Sequence, residues 1–320
     1  MSTGETLRLK VRAIAELTPR IRTFELVPPV RGDELPPFTA GAHLTIHLPS
    51  GLERQYSLCN DPAERHRYVI AVQREEAGRG GSEEMFRAVH VGDVLAVGGP
   101  RNLFPLHESG EEAVLIAGGI GVTPILAMAR RLAAAGRPFS VLYLTRDAEA
   151  TAFAEEFAGL AAAGVPVTIH HDGGDPGRVF DLAGFLAALP DSAHVYCCGP
   201  AGLMTAVAEL DPARGDRMHF EHFTNADAAP QGGDQPFVVT LARSGRDIDI
   251  PADRSILDVL LEAGLDVDYS CGEGTCGTCI TRLLGGEPDH RDRVLTPAEK
   301  ADHIALCCSR ARGPRLTLDL

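Results

Sequence analysis

The 320-residue chain has no tryptophan, and aromatic residues make up only 5% of it. No uninterrupted apolar run approaches the ~18 residues of a membrane-spanning helix. The first residues, MSTGETLRLK, lack the apolar core of a secretory signal. A soluble cytoplasmic protein with no membrane partner is expected. Basic residues are in deficit: 30 Lys and Arg stand against 44 Asp and Glu, a formal net charge of −14. Phosphate backbones are bound through clustered Lys and Arg, so no nucleic-acid partner is expected. Internal repeats and low-complexity tracts are also missing. What remains is ordinary globular composition, 44% hydrophobic and 23% charged. At about 100–200 residues per domain, the length suggests two or three domains.

The eight cysteines are unevenly placed. Cys59, Cys197 and Cys198 are scattered, whereas Cys271, Cys276, Cys279, Cys307 and Cys308 lie in the last fifty residues. A secreted disulfide scaffold would be shorter and would spread its cysteines, so clustering at one end suggests a metal.

Three segments differ in pattern. Residues 1–105 carry alternating stretches such as LRLKVRAIAEL (7–17), HLTIHL (43–48) and RYVIAVQ (67–73), broken by Pro- and Gly-rich turns. Short strands at this spacing predict an antiparallel β-barrel or sandwich. Residues 106–228 alternate strands with helices: AVLIAGG (113–119), PILAMARRLAAAG (124–136), FSVLYLT (139–145), TAFAEEFAGLAAAG (151–164), VPVTIHH (165–171), RVFDLAGFLAAL (178–189) and HVYCCGP (194–200). That alternation predicts a doubly wound parallel sheet, the α/β part of a multidomain α/β plus β chain. Residues 229–320 follow the Ala-, Gly- and Pro-rich stretch 225–236. They begin with a hairpin (237–251) and a Ser-capped helix (255–265).

DYSCGEGTCGTC spaces Cys271, Cys276 and Cys279 as C-x4-C-x2-C, with Cys307 or Cys308 far downstream. This is plant-type [2Fe–2S] spacing. Interleaved Gly272, Gly274 and Gly277 permit close backbone approach and offer N–H groups to sulfur. Structural zinc favours paired short knuckles and fits less well. Cys307 and Cys308 adjoin in LCCSR. If that stretch is a strand they face opposite sides, and one of them is the fourth ligand.

Two glycine turns follow predicted strands. AGGIGVTPI carries Gly118, Gly119 and Gly121; CCGPAGLM carries Cys198, Gly199 and Pro200. Either turn alone could simply join a strand to a helix. Together they mark the crevice where open α/β sheets bind ligands. Asp172 could accept from a ribose 2′-hydroxyl and would repel a 2′-phosphate, which favours NADH; Arg146 could meet a ribose or pyrophosphate oxygen, or equally an extra phosphate. In the first segment, RQYSLCN groups Arg54, Gln55, Tyr56 and Ser57. GRGGSEEM offers Arg79, Gly80, Gly81 and Ser82 as a phosphate cradle opening a helix. The twelve histidines show no metal-like spacing.

The succession RQYSL, GRGGS, GGIGVTPI, CGP and C-x4-C-x2-C…C resembles the phthalate dioxygenase reductase family over the whole chain. The stretches RQYSLCNDPAERHRY, EPDHRDRVLT and CCSRARG resemble its vanillate O-demethylase reductase branch in particular. The resemblance implies an FMN-binding barrel (1–105), an NAD-binding domain (106–228) and a β-grasp-like [2Fe–2S] ferredoxin domain (229–320). It implies that Arg54, Gln55, Tyr56 and Ser57 meet the FMN ring and phosphate, with Val72, Gln73 and Arg74 on the next flavin-facing strand. It further implies that Gly80, Gly81 and Ser82 hold the phosphate. Thr123 and Cys198 would lie near the flavin–nicotinamide contact, and Phe223 and Asn225 in a tail beside the flavin. It selects Cys307 as fourth cluster ligand and NADH as electron donor.

The implied activity is an electron-transfer oxidoreductase. NADH gives two electrons as hydride, a [2Fe–2S] cluster accepts one at a time, and a flavin reconciles the two. The expected acceptor is a separate Rieske-type oxygenase, a demethylase or an aromatic-ring dioxygenase. A cytochrome P450 is the alternative acceptor, and a non-enzymatic iron–sulfur sensor the alternative function.

Overall fold

The computed structural model describes residues 6–76, 78, 80–108, 111–223, 228–269 and 271–320. The chain divides into two compact units, Met1–Glu221 and His222–Leu320.

The first unit opens with six antiparallel strands: β1 (Thr6–Thr18), β2 (Ile21–Val27), β3 (Ala42–His47), β4 (Glu53–Ser57), β5 (Tyr68–Gln73) and, after helix α1 (Gly81–Ala88), β6 (Val94–Asn102). Their order is β4-β3-β6-β1-β2-β5. The period-two pattern of β1 buries Leu9 and Val11 and exposes Lys10 and Arg12. Those two residues join Phe24, Leu44, Ile46 and Ile70 in one core. The outer strands β4 and β5 approach one another through a bridge between Leu58 and Ile70 and a bond from Cys59 N to Val69 O (2.9 Å), bringing the sheet round into a barrel.

A parallel sheet follows. Its strands are β7 (Ala113–Gly118), β8 (Phe139–Thr145), β9 (Val167–His171), β10 (His194–Cys198) and β11 (Met218–Glu221), in the order β11-β10-β7-β8-β9. Helices α2 (Val122–Ala134), α3 (Ala154–Ala162), α4 (Leu182–Ala187) and α5 (Ala201–Leu210) connect them. Every residue of β7 is buried, because helices cover both faces. Leu115, Ala117, Tyr143 and Cys198 pack towards α2 and Phe157 of α3. Val114, Ile116, Leu142 and Cys197 pack towards Leu186 of α4 and Met204 and Val207 of α5. The adjacent cysteines therefore enter different cores. The first of these cores also takes in Ile21, Cys59, Ala71 and Phe104 of the barrel and its exit, so barrel and sheet share one interior.

Two helices are shorter than the sequence predicts. The one expected from residue 151 begins at Ala154, because Phe153 adopts a left-handed conformation (φ 59°, ψ 28°). The one expected from 178 begins at Leu182, where Asp181 caps it by accepting from Gly184 N (2.9 Å).

In the second unit, β12 (Phe237–Leu241), β13 (Arg246–Ile250), β14 (Ile280–Asp289), β15 (His303–Ala305) and β16 (Arg310–Leu318) form a mixed sheet in the order β13-β12-β16-β14-β15. β12 and β16 are parallel and the other pairs antiparallel. Helix α6 (Ile256–Glu262), capped by the Ser255 hydroxyl, packs Ile256, Leu257 and Leu260 on this sheet. The chain from α6 to β14 carries Cys271, Cys276 and Cys279. LCCSR is a turn between β15 and β16, closed by Ser309 N donating to Ala305 O (3.1 Å), so the rule of opposite strand faces does not apply there.

Gly121 tests the packing of the parallel sheet. A Cβ there would overlap the carbonyl of Cys198, which is backbone and cannot swing away. Gly121→Ala is expected to cost about 1–3 kcal/mol of stability in urea unfolding. An unchanged midpoint would mean that the turns after β7 and β10 are not in contact.

Candidate functional site

The cysteine loop is built around sulfur. Cys276, Cys279 and Cys307 are each 5% exposed or less, and Cys271 is partly buried. The Cys271 thiol meets those of Cys276 and Cys307, and the Cys279 thiol meets that of Cys307, so the four sulfurs converge. Backbone donors surround them. Cys271 Sγ accepts from Glu273 N (3.3 Å) and Thr275 N (3.4 Å), Cys276 Sγ from Thr278 N (3.5 Å), and Cys307 Sγ from Gly274 N (3.1 Å). Bonds from Cys276 and Cys307 draw the Cys271 thiol far below its ordinary range, and bonds from Cys307 lower Cys279. Four convergent sulfurs ringed by N–H groups suit a [2Fe–2S] cluster, whose thiolates are tuned by such donors. Cys308 is buried against Gly274, where a Cβ would collide with its sulfur.

On the barrel, β4 presents Arg54, Gln55, Tyr56 and Ser57. Arg54 crosses the N-terminus of α1 and occupies the space that a Cβ on Gly81 would need. A guanidinium over a helix N-terminus is an arrangement that can hold a phosphate. Gln55 Nε2 is buried and donates to no acceptor among the described residues, as a ring or phosphate oxygen would require. Burial holds the Tyr56 phenol protonated. On β5, Val72 is buried and Gln73 Nε2 donates to Glu75 (2.8 Å). Arg74 makes a bidentate pair with Glu83 of α1 (2.6 and 3.0 Å), and Ser82 Oγ accepts from Glu75 N (3.0 Å). Arg74 and Ser82 therefore close the β5–α1 loop. Arg79 lies outside the described residues, as does Asn225; Phe223 belongs to the second unit and is exposed.

On the parallel sheet, Gly118, Gly121 and Gly199 bring two turns together. A Cβ on Gly199 would lie 2.9 Å from Gly118 Cα, and one on Gly118 would lie 2.7 Å from Pro200 Cδ. Gly119, with nothing near its missing Cβ, is left facing open space. Thr123 is buried, and its hydroxyl donates to Ile120 O (3.1 Å). Arg146 lies against Gly174, and Asp172 Oδ1 accepts from Gly174 N (2.7 Å). A cavity of about 500 Å³ is lined by Gly119, Thr145, Arg146, Asp147 and Glu149 of the sheet and by Thr18, Arg20 and Gln73 of the barrel.

Sequence reasoning missed Glu221. It ends β11 as the lateral neighbour of Cys198 on β10, and Ser57 Oγ of β4 donates to its Oε2 (3.3 Å). Burial pushes the Glu221 carboxyl up to about 8, against the smaller lowering effect of Ser57. Burial also drives the Cys198 thiol well above its ordinary value, helped by Glu221. Three strands thus deliver a hydroxyl, a buried thiol and a carboxyl of raised pKa to one point where barrel meets sheet. The available signal was an acid inside the short extended stretch MHFEHF, which alone is ambiguous.

Comparison with known proteins agrees with this geometry. Residues 239–312 match a family described as a 2Fe-2S iron-sulfur cluster binding domain, and residues 115–209 an oxidoreductase NAD-binding domain. The chain is 48% identical to phthalate dioxygenase reductase of Burkholderia cepacia, covering 98% of this chain and 97% of the other. It is 44% identical to a vanillate O-demethylase oxidoreductase of a Pseudomonas species over 90% and 92%. Among solved structures it is similar to a phthalate dioxygenase reductase described as modular for electron transfer from pyridine nucleotides to [2Fe-2S] (TM-score 0.77, 46% identity, 98% of each chain). It also resembles part of a self-sufficient cytochrome P450 monooxygenase (TM-score 0.84, 35% identity), covering all of this chain and 42% of that one. Among the described residues no helix is long and apolar enough to cross a membrane.

Glu221 gives a pH test. Its carboxyl ordinarily ionises near 4.5 but holds its proton to about 8 in the fold. Between those values the unfolded chain releases a proton that the folded chain keeps, so stability falls as pH rises, by up to ~1.4 kcal/mol per unit. Thermal unfolding at pH 5, 6.5 and 8 is expected to show a steeper decline for the wild type than for Glu221→Gln. Parallel curves would mean that Glu221 is ionised in the fold.

Proposed function

Because the chain belongs to the phthalate dioxygenase reductase family, we propose that it takes hydride from NADH at an FMN held by the barrel and passes single electrons through a [2Fe–2S] cluster to a Rieske-type oxygenase. The observation that carries this reading is the occurrence, in one chain, of the Ser57–Cys198–Glu221 junction and four converging thiols. The flavin, when bound, supplies the exchange between a two-electron donor and a one-electron acceptor. Three functional segments follow: flavin barrel 1–105, nucleotide sheet 106–228 and ferredoxin 229–320.

Each residue has a part in that reading. Arg54 and the α1 N-terminus hold the FMN phosphate, Gln55 donates towards the ring system, and Tyr56 stays neutral against it. Cys198 and Glu221 stay neutral at pH 7, so no fixed negative charge opposes hydride arriving beside them. Glu221 and Ser57 share a proton-bearing contact at the point where a proton is needed or released. The turns around Gly119 and Gly199 receive the nicotinamide nucleotide. Asp172, together with Asp147 and Glu149 on the wall of the neighbouring cavity, disfavours an added 2′-phosphate and supports NADH. Cys271, Cys276, Cys279 and Cys307 ligate the cluster, with backbone N–H groups stabilising their charge. A P450 is the second reading for the acceptor, supported by the likeness to the self-sufficient monooxygenase.

Anaerobic titration with NADH, followed by absorbance and EPR, is expected to bleach a flavin band and then produce a reduced [2Fe–2S] signal. Cys276→Ser should abolish the cluster signal and reduction of a Rieske oxygenase while NADH still bleaches the flavin. Reduction of a P450 with none of a Rieske oxygenase would overturn the acceptor. A purified protein without flavin would overturn the whole reading.

A further inference from the structure

His171, the last residue of β9, closes a hydrogen-bonded clasp that no role above requires. Its Nδ1 lies 2.9 Å from Thr145 Oγ1 at the end of β8. Thr145 Oγ1 lies 2.8 Å from Thr151 Oγ1, and Thr151 Oγ1 donates to Asp147 O (2.8 Å). Both threonines are buried. Each hydroxyl has one hydrogen to give. Asp147 O faces both hydroxyls (2.8 Å from Thr151 Oγ1 and 3.3 Å from Thr145 Oγ1), so the two threonines and His171 Nδ1 form one hydrogen-bonded cluster around the start of the loop. His171 Nδ1 closes this cluster from β9, as donor or acceptor according to its tautomer.

The clasp holds one short loop. Residues 146–150 leave β8, form one wall of the 500 Å³ cavity, and return at Thr151. Ala150 N donates to Asp147 Oδ1 (2.8 Å) and Thr151 N to Ala148 O (3.2 Å). Beyond His171, Asp172 N donates to Thr145 O (3.3 Å) and Gly173 N to Arg146 O (2.7 Å), so the same clasp keeps Asp172 beside Arg146. The loop ends at Phe153, the only described non-glycine residue with positive φ, whose ring is buried in the first unit's core. Such a conformation persists where its surroundings over-determine it, and ligand clamps are common places for it.

We propose that His171 is a positioning residue for the pyridine nucleotide. Through Thr145 and Thr151 it sets the 146–150 loop before the dinucleotide arrives, so binding does not include the entropy of ordering that loop. This rests on the reading above that the nicotinamide nucleotide binds at the C-terminal edge of the parallel sheet.

The test is steady-state NADH oxidation by the full-length holoprotein with ferricyanide as acceptor. His171→Phe keeps a planar ring but removes the hydrogen-bonding nitrogen. It is expected to raise KM for NADH about five- to tenfold, the loss of roughly one hydrogen bond, while kcat, flavin content and the cluster EPR signal stay at wild-type values. Thr151→Val should raise KM similarly, and the double variant little further. His171→Asn, whose amide group reaches the Nδ1 position and can donate or accept there, should restore KM; His171→Gln, whose amide reaches the Nε2 position, should not. An unchanged KM in His171→Phe, a matching fall in kcat with loss of flavin, or equal rescue by Asn and Gln would overturn the clasp alone. A wild-type protein that does not oxidise NADH would overturn the proposed function and the clasp with it.

Discussion

Gly118, Gly121 and Gly199 bring the turn after β7 against the turn after β10, leaving no room between them for a side-chain carbon. Parallel strands end at a common edge, where their loops would otherwise diverge. Here the loops touch, and that contact fixes the height at which β10 ends. Cys198 and its lateral neighbour Glu221 follow, and the barrel closes over them with Ser57. The shared interior makes this meeting reproducible. Ile21, Cys59, Ala71 and Phe104 pack into the same core as α2, and Arg130 of α2 donates to Cys59 O (2.6 Å).

The two units handle charge in opposite ways. In the first, burial raises the pKa of Cys198 and Glu221 and favours their neutral forms. In the second, backbone N–H groups aimed at sulfur favour thiolates. A donor of electron pairs and an acceptor of single electrons need different surroundings, and one chain builds both by varying burial and hydrogen bonding. Among the barrel residues the guanidiniums divide likewise. Arg54 faces the cradle while Arg74 is committed to Glu83, two roles that residue type alone does not separate.

The loop after β8 adds a mechanical element. Thr145, Thr151 and His171 tie two strand ends together, and the strained Phe153 ends the loop where a helix would otherwise continue. Helical periodicity runs from residue 151, yet the helix waits until Ala154. The loop's own hydrogen bonds overrode propensity, a common outcome beside a binding site.

Much of this protein is legible in its sequence because the signals are local. Period-two alternation marked the barrel strands, strand–helix alternation the parallel sheet, and C-x4-C-x2-C the cluster loop; each is a relation between residues close in the chain. Tertiary structure alone decided the rest. Ser57 meets Glu221 across 164 positions, Gly121 meets Cys198 across three crossovers, and His171 meets Thr145 through adjoining strands. Cys307 and Cys308 are told apart by a turn rather than a strand, with Gly274 donating to one and packing against the other. Spacing can name the residue types a site needs. Which of them lose water, find a partner and hold a proton depends on packing between segments distant in the chain.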